Sequence, residues 1–336
     1  MSNQSVSTLL DVQNLVTRFY TEDGTVYAVN DVSFSLDSGE SMAIVGESAC
    51  GKSVSMLSIL RLIPTPPGRI EAGKVFFKGR DLFSLSQSQM RDIRGSEIAL
   101  ILQDPMTSLN PVLSIKRQIT EVIKRHLQLS NNEAVKLAIE MLTVVGLPDP
   151  IHRINDFPHQ FSGGQRQRIM IAMALATNPS LLIADEPTTA LDTTIQAQIV
   201  DLVKKLQKQF GMAIIWITHD LALITGLVQK IAVMYAGTIV EMTTTRNLYK
   251  NTSHPYTLGL LQSLPTTANN IDDEKIRLIP IEGSPPNLLE EPSFCAFAPR
   301  CVYAVDKCWQ EKPILDLVDD AHYVACWKWE TVRNRV

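Results

Sequence analysis

The stretch SMAIVGESACGKS, residues 41–53, decides the fold. Its first five residues form a short apolar run, which predicts a strand buried on both faces of a parallel sheet. The next eight, GESACGKS, satisfy the pattern G-x-x-x-x-G-K-S/T between that strand and a helical pattern. This context favours a phosphate-binding loop over an accidental strand, turn and helix.

The loop predicts a cradle for the phosphates of a nucleotide. Gly46 and Gly51 permit close approach of the backbone, and successive amides point at the anion. Lys52 would reach the terminal phosphates, and the hydroxyl of Ser53 would be offered to Mg²⁺. The other positions of the predicted ATP-binding loop are Glu47, Ser48, Ala49 and Cys50.

Strands alternate with helices after this loop, which predicts an α/β fold with a mostly parallel sheet. Further buried runs cover 180–187 and 213–220, and the stretch 9–39 with 74–79 predicts an antiparallel β-rich edge. Helical patterns cover 52–63, 114–127, 132–145, 165–176 and 194–209.

The composition changes near residue 250, where prolines recur. We expect a compact Pro-rich tail without regular secondary structure from there on. We predict a nucleotide-binding domain over 1–250, with a helical subdomain over about 105–165, and a small irregular cysteine-rich subdomain over 251–336 that serves regulation or dimerisation.

Charge and hydropathy restrict the function. The formal net charge of −4 offers no basic footprint for a nucleic-acid protein. No apolar run approaches the roughly 18–20 residues of a membrane-spanning helix. The beginning, MSNQSVSTLLDVQNL, has neither a basic segment nor a long apolar one, so we expect a reducing cytosol rather than secretion.

Two consecutive acids, Asp185 and Glu186, follow an apolar strand in LLIADEP, residues 181–187. Neighbouring strand residues point in opposite directions, so the two carboxylates cannot share one role. We predict that Asp185 holds Mg²⁺ through water and that Glu186 polarises the water that attacks the γ-phosphate. Such a pair is more often a solvated turn, but the upstream phosphate loop favours a site.

The segment FSGGQRQR, residues 161–168, places a Ser-Gly-Gly turn before a helix that we expect to begin near Gln165. Small residues, amides and a hydroxyl make a second helix N-terminus suited to phosphate. Taken alone it would be an ordinary N-cap. One chain seldom needs two such cradles for one nucleotide.

Six motifs in order over residues 9–245 resemble those of ATP-binding subunits of ABC transporters. They are GESACGKS, Gln103 of ILQDP, the signature Ser162, Gly163, Gly164 and Gln165, LLIADEP, TALD with Asp192 of the D-loop, and ITHD with His219. The resemblance implies two such domains facing head to tail. ATP would then lie between the phosphate loop of one and the SGGQ of the other.

The resemblance also implies roles for single residues. His219 would contact the γ-phosphate, and Gln103 would sense Mg²⁺ or the attacking water while its loop touches the membrane subunits. An aromatic ring upstream would stack on adenine. We favour Tyr20 over Phe19 and Tyr27, the alternative being that Tyr20 packs at the sheet edge.

One position departs from the pattern. Similar proteins usually show GESG, whereas this chain has Ala49. If that position needs a positive φ, a Cβ there costs about 1 kcal/mol. Because the functional side chains are present, we still expect hydrolysis.

Three segments, 101–111, 184–199 and 249–261, resemble the ATPases of oligopeptide and dipeptide importers. This implies a second, related ATPase chain in a heterodimer, two membrane permease subunits, an extracytoplasmic peptide-binding protein, and a peripheral place on the cytoplasmic face of the inner (cell) membrane. The alternatives are an importer of nickel or another small solute, and a soluble ABC ATPase acting on nucleic acid. Locally, we expect HPYT to begin a solvated helix, with His254 and Pro255 at the cap.

Four cysteines in the tail, Cys295, Cys301, Cys308 and Cys326, have the spacing C-x5-C-x6-C-x17-C. Four thiolates can hold a tetrahedral ion or a cubane cluster, and the tight knuckles of structural zinc are missing. The resemblance implies a 4Fe–4S cluster, which would replace a hydrophobic core in this small subdomain. Zinc with His322 as a substitute ligand, two disulfides, and free core thiols remain open.

Overall fold

The computed structural model describes residues 8–103, 108–189, 191–264, 280–291 and 293–335. The chain divides into two compact units. We call the first, which is mainly Asp81–Ile217, the central unit. The second comprises Leu10–Ser35, Met42–Arg80 and Thr218–Val336, and we call it the loop-and-tail unit.

The described residues contain strands of 2 to 14 residues. They are β1 Thr8–Thr21, β2 Gly24–Asp37, β3 Ser41–Val45, β4 Gly68–Phe77, β5 Arg80–Asp81, β6 Ile98–Ile101, β7 Leu181–Asp185, β8 Ala213–Thr218, β9 Lys230–Tyr235, β10 Thr238–Thr244, β11 Asp316–Asp319 and β12 His322–Val324.

The helices of the described residues follow the same order along the chain. They are α1 Lys52–Ile59, α2 Gln87–Ile93, α3 Ile115–Leu127, α4 Asn131–Val144, α5 Pro150–Arg153, α6 Gly163–Leu175, α7 Thr193–Phe210, α8 Leu221–Ile224, α9 Thr245–Lys250, α10 Pro255–Gln262, α11 Asp306–Gln310 and α12 Trp329–Arg333. None of them is long and apolar enough to cross a membrane.

The loop-and-tail unit carries the strand that leads into the phosphate loop. That strand, β3, pairs in parallel with β9, while β10 lies antiparallel to β9. The tail hairpin of β11 and β12 continues this sheet, because β12 pairs antiparallel with β10. A second sheet in the unit has β1 between β2 and β4, with β1 and β4 antiparallel. This second sheet is the antiparallel edge predicted from the sequence.

The central unit positions the paired acids and SGGQ. Strands β6, β7 and β8 run parallel with β7 in the middle, and all residues of β7 and β8 are buried. Helix α6 packs against β6, α3, α4 and α7. Asp185 is therefore the last residue of a fully buried strand and Glu186 follows it, while SGGQ lies at the start of a helix that packs against one strand and three helices.

The predicted fold class is confirmed, and some of the predicted helices begin or end at other residues. Helix α1 stops at Ile59 instead of Ile63 because Arg61 adopts a left-handed conformation, with φ of 53°. The N–H of Arg61 then bonds to the carbonyl of Ser58 and closes the helix. Helix α6 begins at Gly163, two residues earlier than expected.

The tail has more regular structure than its proline content indicates. Helices α10 to α12 and the hairpin of β11 and β12 lie within it. The expectation that irregular chain replaces regular elements there is therefore wrong in part, because the open edge of β10 accepts β12 as a partner. The domain boundary at residue 250 stays a prediction.

Candidate functional site

The phosphate loop begins and ends at glycines that the backbone requires. Gly46 and Gly51 have φ of 157° and 98°. A Cβ on Gly46 would overlap the carbonyl oxygen of Met234, and one on Gly51 would overlap that of Ala28. The loop therefore packs closely against backbone segments of its own unit, and no side chain fits at Gly46 or at Gly51.

The amino end of α1 is presented without a side-chain cap. Its N-cap residue is Gly51, which has no side chain that could cap the helix. Lys52 is 5% exposed, and its Nζ donates to the carbonyl oxygens of Gly46 and Glu47, at 2.9 and 2.8 Å. Ser53 follows as a half-buried residue in the first turn of α1. These are the groups from which a phosphate cradle is built.

Ala49 occupies a left-handed conformation, with φ of 61°. The position therefore has the positive φ on which the predicted cost of Ala49 depended. The Cβ costs about 1 kcal/mol at this exposed loop position. Ser48 is exposed beside it, whereas Cys50 is buried.

The two acids differ in burial and in backbone conformation. Asp185 is buried as the last residue of β7, while Glu186 is half-buried with φ of 45°. Its N–H donates to the carbonyl of Ile217 at 3.0 Å, which continues the strand pairing by one residue. A left-handed turn, rather than strand alternation alone, separates the two carboxylates.

The structure brings Gln103 to Glu186. The amide Nε2 of Gln103 donates to Oε2 of Glu186 at 3.0 Å, and the hydroxyl of Thr189 donates to the same oxygen at 3.0 Å. The sequence singled out Gln103 and Glu186 separately, and missed Thr189 although it opens the TALD motif. The rest of ILQDP, which is Asp104 and Pro105, and Ala190 of TALD lie outside the described residues.

The signature segment is closed by its own side chains. Ser162 Oγ accepts from the N–H of Gln165 at 3.3 Å, and Gln165 Oε1 accepts from the N–H of Ser162 at 3.1 Å. This reciprocal pair is a capping box. Ser162 and Gly163 are exposed, and Gly164 lies close to Ile195 of α7.

Asp192 and His219 both sit beside helix starts. The carboxylate of Asp192 accepts from the N–H of Ile195 at 2.9 Å and caps α7. His219 is exposed directly after β8, and Asp220 next to it caps α8. Their roles toward a nucleotide stay predictions.

Tyr20 is 51% exposed, and its hydroxyl donates to Glu71 at 2.9 Å. The ring of Tyr27 is covered by the guanidinium of Arg18, 4.5 Å from the ring centroid. Tyr20 is thus the more accessible of these two rings, and its stacking on adenine stays a prediction.

The expectation of a solvated HPYT is wrong. His254 is 2% exposed and Tyr256 is fully buried. His254 does cap α10, as expected, with Nδ1 accepting from the N–H of Tyr256 at 3.1 Å, and burial lowers the pKa of His254 to about 3. The buried carboxylate of Glu241 accepts the N–H groups of Ser253 and His254, which fixes this helix start inside the unit.

All four tail cysteines line one small cavity, together with His254 and Trp327. Their thiols are free, with no disulfide among them. Burial raises the pKa of Cys301 to about 11 and that of Cys326 to about 12. Among the described residues, no three or more His, Cys, Asp or Glu side chains are placed so as to hold a metal ion.

His322 is not available as a substitute ligand. Its Nε2 bonds to Glu241 at 2.8 Å, and its Nδ1 lies 3.0 Å from both Asn247 and Arg333. The residue is fully buried in this network, so the suggestion that it completes a zinc site is wrong for the observed arrangement.

These features together are those of a P-loop ATPase. They are the phosphate loop with its two glycines, the paired acids with a glutamine, and the capped helix that begins at SGGQ. Residues 29–189 match the family described as ABC transporter, and residues 240–308 match the family described as oligopeptide/dipeptide transporter, C-terminal region. The second match contains Cys295, Cys301 and Cys308 and ends before Cys326.

Curated relatives agree over almost the whole chain. The oligopeptide transport ATP-binding protein OppD of Bacillus subtilis (strain 168) is 50% identical over 322 residues, which is 96% of this chain and 89% of the relative. The dipeptide transport ATP-binding protein DppD of the same organism is 48% identical over 319 residues, which is 95% of this chain and 94% of the relative.

A solved structure shows the same fold. The dimeric post-hydrolysis state of the ATP-binding cassette MJ0796 bound to ADP and Pi has a TM-score of 0.63 and 28% identity, and covers 70% of this chain and 99% of that chain. The protein therefore belongs to the ABC transporter family, in the branch of peptide-transport ATP-binding subunits. It is an ATPase coupled to transport, and this class uses ATP and Mg²⁺.

Proposed function

We propose that this chain hydrolyses ATP to power import of dipeptides or short oligopeptides. The observation that carries the proposal is the order of the two family matches, a cassette followed by the oligopeptide/dipeptide C-terminal region. The tail that bears this second region pairs its strand β12 with β10, in the unit that holds the phosphate loop.

Different residues of the chain bind the nucleotide and activate the attacking water. The amides of GESACGKS and the ammonium of Lys52 hold the phosphates, and Tyr20 stacks on adenine. Glu186, held by Gln103 and Thr189, takes a proton from the water whose oxygen attacks the γ-phosphorus. The bond to the bridging oxygen breaks, giving ADP and phosphate, and His219 contacts the γ-phosphate.

The groups suited to Mg²⁺ are oxygen ligands, as that ion prefers. They are the hydroxyl of Ser53, the amide oxygen of Gln103 and the carboxylate of Asp185. Bound there, Mg²⁺ would offset the charge of the phosphates.

The SGGQ of this chain, in which Ser162 and Gly163 are exposed, contacts ATP held by a second, related ATPase chain, with Asp192 nearby in the same arrangement. Two membrane permease subunits and an extracytoplasmic peptide-binding protein complete the importer, and the chain is peripheral on the cytoplasmic face of the cell membrane. Membership of the peptide-transport family supports the permease subunits and the binding protein of this assembly.

The direct test is reconstitution of the complex in vesicles with its binding protein. Dipeptides or oligopeptides should raise the ATP hydrolysis rate, and Glu186→Gln should remove the rise without loss of ATP binding. Stimulation by Ni²⁺ in place of peptides would assign a different cargo, and hydrolysis stimulated by nucleic acid would assign a different class.

The tail cysteines are proposed to hold a 4Fe–4S cluster, with zinc as the alternative. The chemistry of the donors supports this, because four thiols line one cavity and thiolates are the ligands of both. The described side chains would have to move closer together to bind, since no three of them are placed around one ion. The raised thiol pKa values mean that loading releases protons. A cluster would act as a structural staple for Cys295, Cys301, Cys308 and Cys326.

Anaerobic purification tests this proposal by visible absorption together with iron, zinc and sulfide analysis. We expect about four irons and four sulfides per chain, lost in Cys295→Ser and kept in the control Cys50→Ser, whose thiol lies in the phosphate loop. One zinc and no sulfide would assign the alternative, and neither element would reject both.

A further inference from the structure

One ion pair joins the cysteine-bearing tail to the phosphate loop. Arg300 donates to both carboxylate oxygens of Glu47, at 2.7 Å from Nη1 to Oε2 and 3.0 Å from Nη2 to Oε1. The Arg300 side chain is 5% exposed. Two parallel charge-assisted hydrogen bonds fix direction as well as distance. The pair therefore holds the second residue of GESACGKS in one place.

Arg300 is itself held by the tail. Its Nε donates to the carbonyl of Glu282 at 2.9 Å, and Nη2 lies 3.4 Å from that of Ile281. The residue ends a short 3₁₀ turn, Ala298–Arg300, that lies between Cys295 and Cys301. The position of the guanidinium thus depends on how the cysteine-bearing segment folds.

A second contact from the tail fixes the backbone of Glu47. Its N–H donates to the hydroxyl oxygen of Tyr256 at 2.7 Å. Tyr256 is fully buried, and its ring packs against Tyr235 and Phe297, with centroids 4.6 and 5.4 Å away. Because Lys52 Nζ donates to the carbonyl of Glu47, the N–H, the carbonyl and the carboxylate of this residue all have fixed partners.

We propose that Arg300 and Tyr256 are positioning residues for the phosphate loop, so that the tail sets the affinity for ATP. A loop that is already ordered loses less conformational entropy when it closes around phosphates, and binding is tighter by that difference. Neither residue is required to touch the nucleotide. The inference rests on the proposed binding of ATP at this loop.

The test measures the Kd for Mg·ATP of the full chain by calorimetry and the steady-state kinetics of the assembled importer. Arg300→Met keeps the length of the apolar stem and removes the two bonds. We expect Kd and KM for ATP to rise about tenfold, in keeping with the loss of a bidentate charge-assisted contact, while kcat changes by less than about threefold. Tyr256→Phe should raise Kd by about threefold, because one neutral bond is lost.

Arg333→Met is the matched control. Arg333 also lies in the tail and bonds to Ser253 Oγ at 3.0 Å and Asp319 at 3.3 Å, but these partners are not in the phosphate loop. It should lower thermal stability without changing Kd. A purely structural role of the tail would instead move Kd equally in Arg300→Met and Arg333→Met.

A double-mutant cycle distinguishes loss of the Arg300–Glu47 ion pair from a general loss of structure. On a Glu47→Gln background, Arg300→Met should have little further effect on Kd, since their shared bond is already weakened. If Arg300→Met does not fold, Arg300→Lys, which keeps the charge and loses the fork, should still raise Kd.

Wild-type Kd in folded Arg300→Met or Arg300→Lys, or additive effects in the cycle, would overturn the inference. Failure of the wild-type chain to bind ATP would instead overturn the proposed function.

Discussion

Two helices of this chain begin at Gly- and Ser-rich turns, yet their first turns are built differently. Helix α1 starts at Gly51 with no side-chain cap, whereas α6 starts at Ser162 with a complete capping box. The N–H of Gln165 already has a partner in Ser162 Oγ, and the turn is exposed. The N-cap residue of α1, Gly51, provides no such side-chain bond.

The two helix N-termini are therefore suited to bind phosphate in different ways. An uncapped helix start beside a buried lysine is suited to hold an anion strongly within the chain itself. A capped and exposed start is stable alone, so the contact with phosphate that we propose for it would depend on assembly.

Lys52→Ala should abolish tight ATP binding by the isolated chain. Loss of a charge-assisted contact of about 2–3 kcal/mol weakens affinity by about 30- to 150-fold. Calorimetric titration with Mg·ATP measures it, and Lys136→Ala on the exposed surface of α4 is the control. An unchanged Kd in Lys52→Ala would contradict the binding of ATP at the phosphate loop.

Gly164→Val should destabilise the start of α6 without weakening ATP binding by the isolated chain. A Cβ at Gly164 would lie 2.7 Å from Cγ2 of Ile195, so overpacking should lower the free energy of unfolding by about 2–3 kcal/mol. In Gly163→Ala the nearest atom is the flexible Cδ2 of Leu191 at 3.3 Å, and the loss should be smaller. Denaturant unfolding compares the two, and equal losses would contradict the packing argument.

Ser162→Ala should cost about 1 kcal/mol through loss of the capping box, whereas Ser162→Asn should retain most of it. Chemical denaturation of the two variants gives the comparison directly. Should Ser162→Ala be as stable as wild type, the cap seen between Ser162 and Gln165 would have no energetic weight.

Ala49→Gly should raise the free energy of unfolding by about 0.5 kcal/mol. The left-handed φ of 61° favours glycine, but the added freedom of the unfolded chain offsets part of the gain. Thermal unfolding measures the shift, with Ala49→Val expected to change stability in the opposite direction. A loss of stability on Ala49→Gly would mean that the Cβ makes a favourable contact.

The sequence predicted the parts of the site that rest on local patterns. The phosphate loop, the paired acids and SGGQ each depend on a few residues at fixed spacing beside a strand or helix. The role of Gln103 came only from the family resemblance, and its hydrogen bond to Glu186 was not predicted, since the residues are 83 positions apart.

What the sequence did not predict depends on long-range pairing and burial. Arg300 and Glu47 are 253 positions apart, and nothing local marks either as a partner of the other. The burial of His254 and the commitment of His322 to Glu241 arise because the tail packs on β10. Local pattern cannot reveal such contacts, since an arginine or histidine in a tail is ordinarily solvated.

The most direct test of the contrast between the two helix starts is a charge placed at Ser162. Asp and Asn both cap helices, so Ser162→Asp and Ser162→Asn should fold alike. The contrast between the two helix starts predicts that Ser162→Asp keeps wild-type ATP affinity in the isolated chain but lowers peptide-stimulated hydrolysis by the assembled importer at least tenfold, because like charges repel, while Ser162→Asn retains more activity. Undiminished stimulated hydrolysis in Ser162→Asp would contradict it.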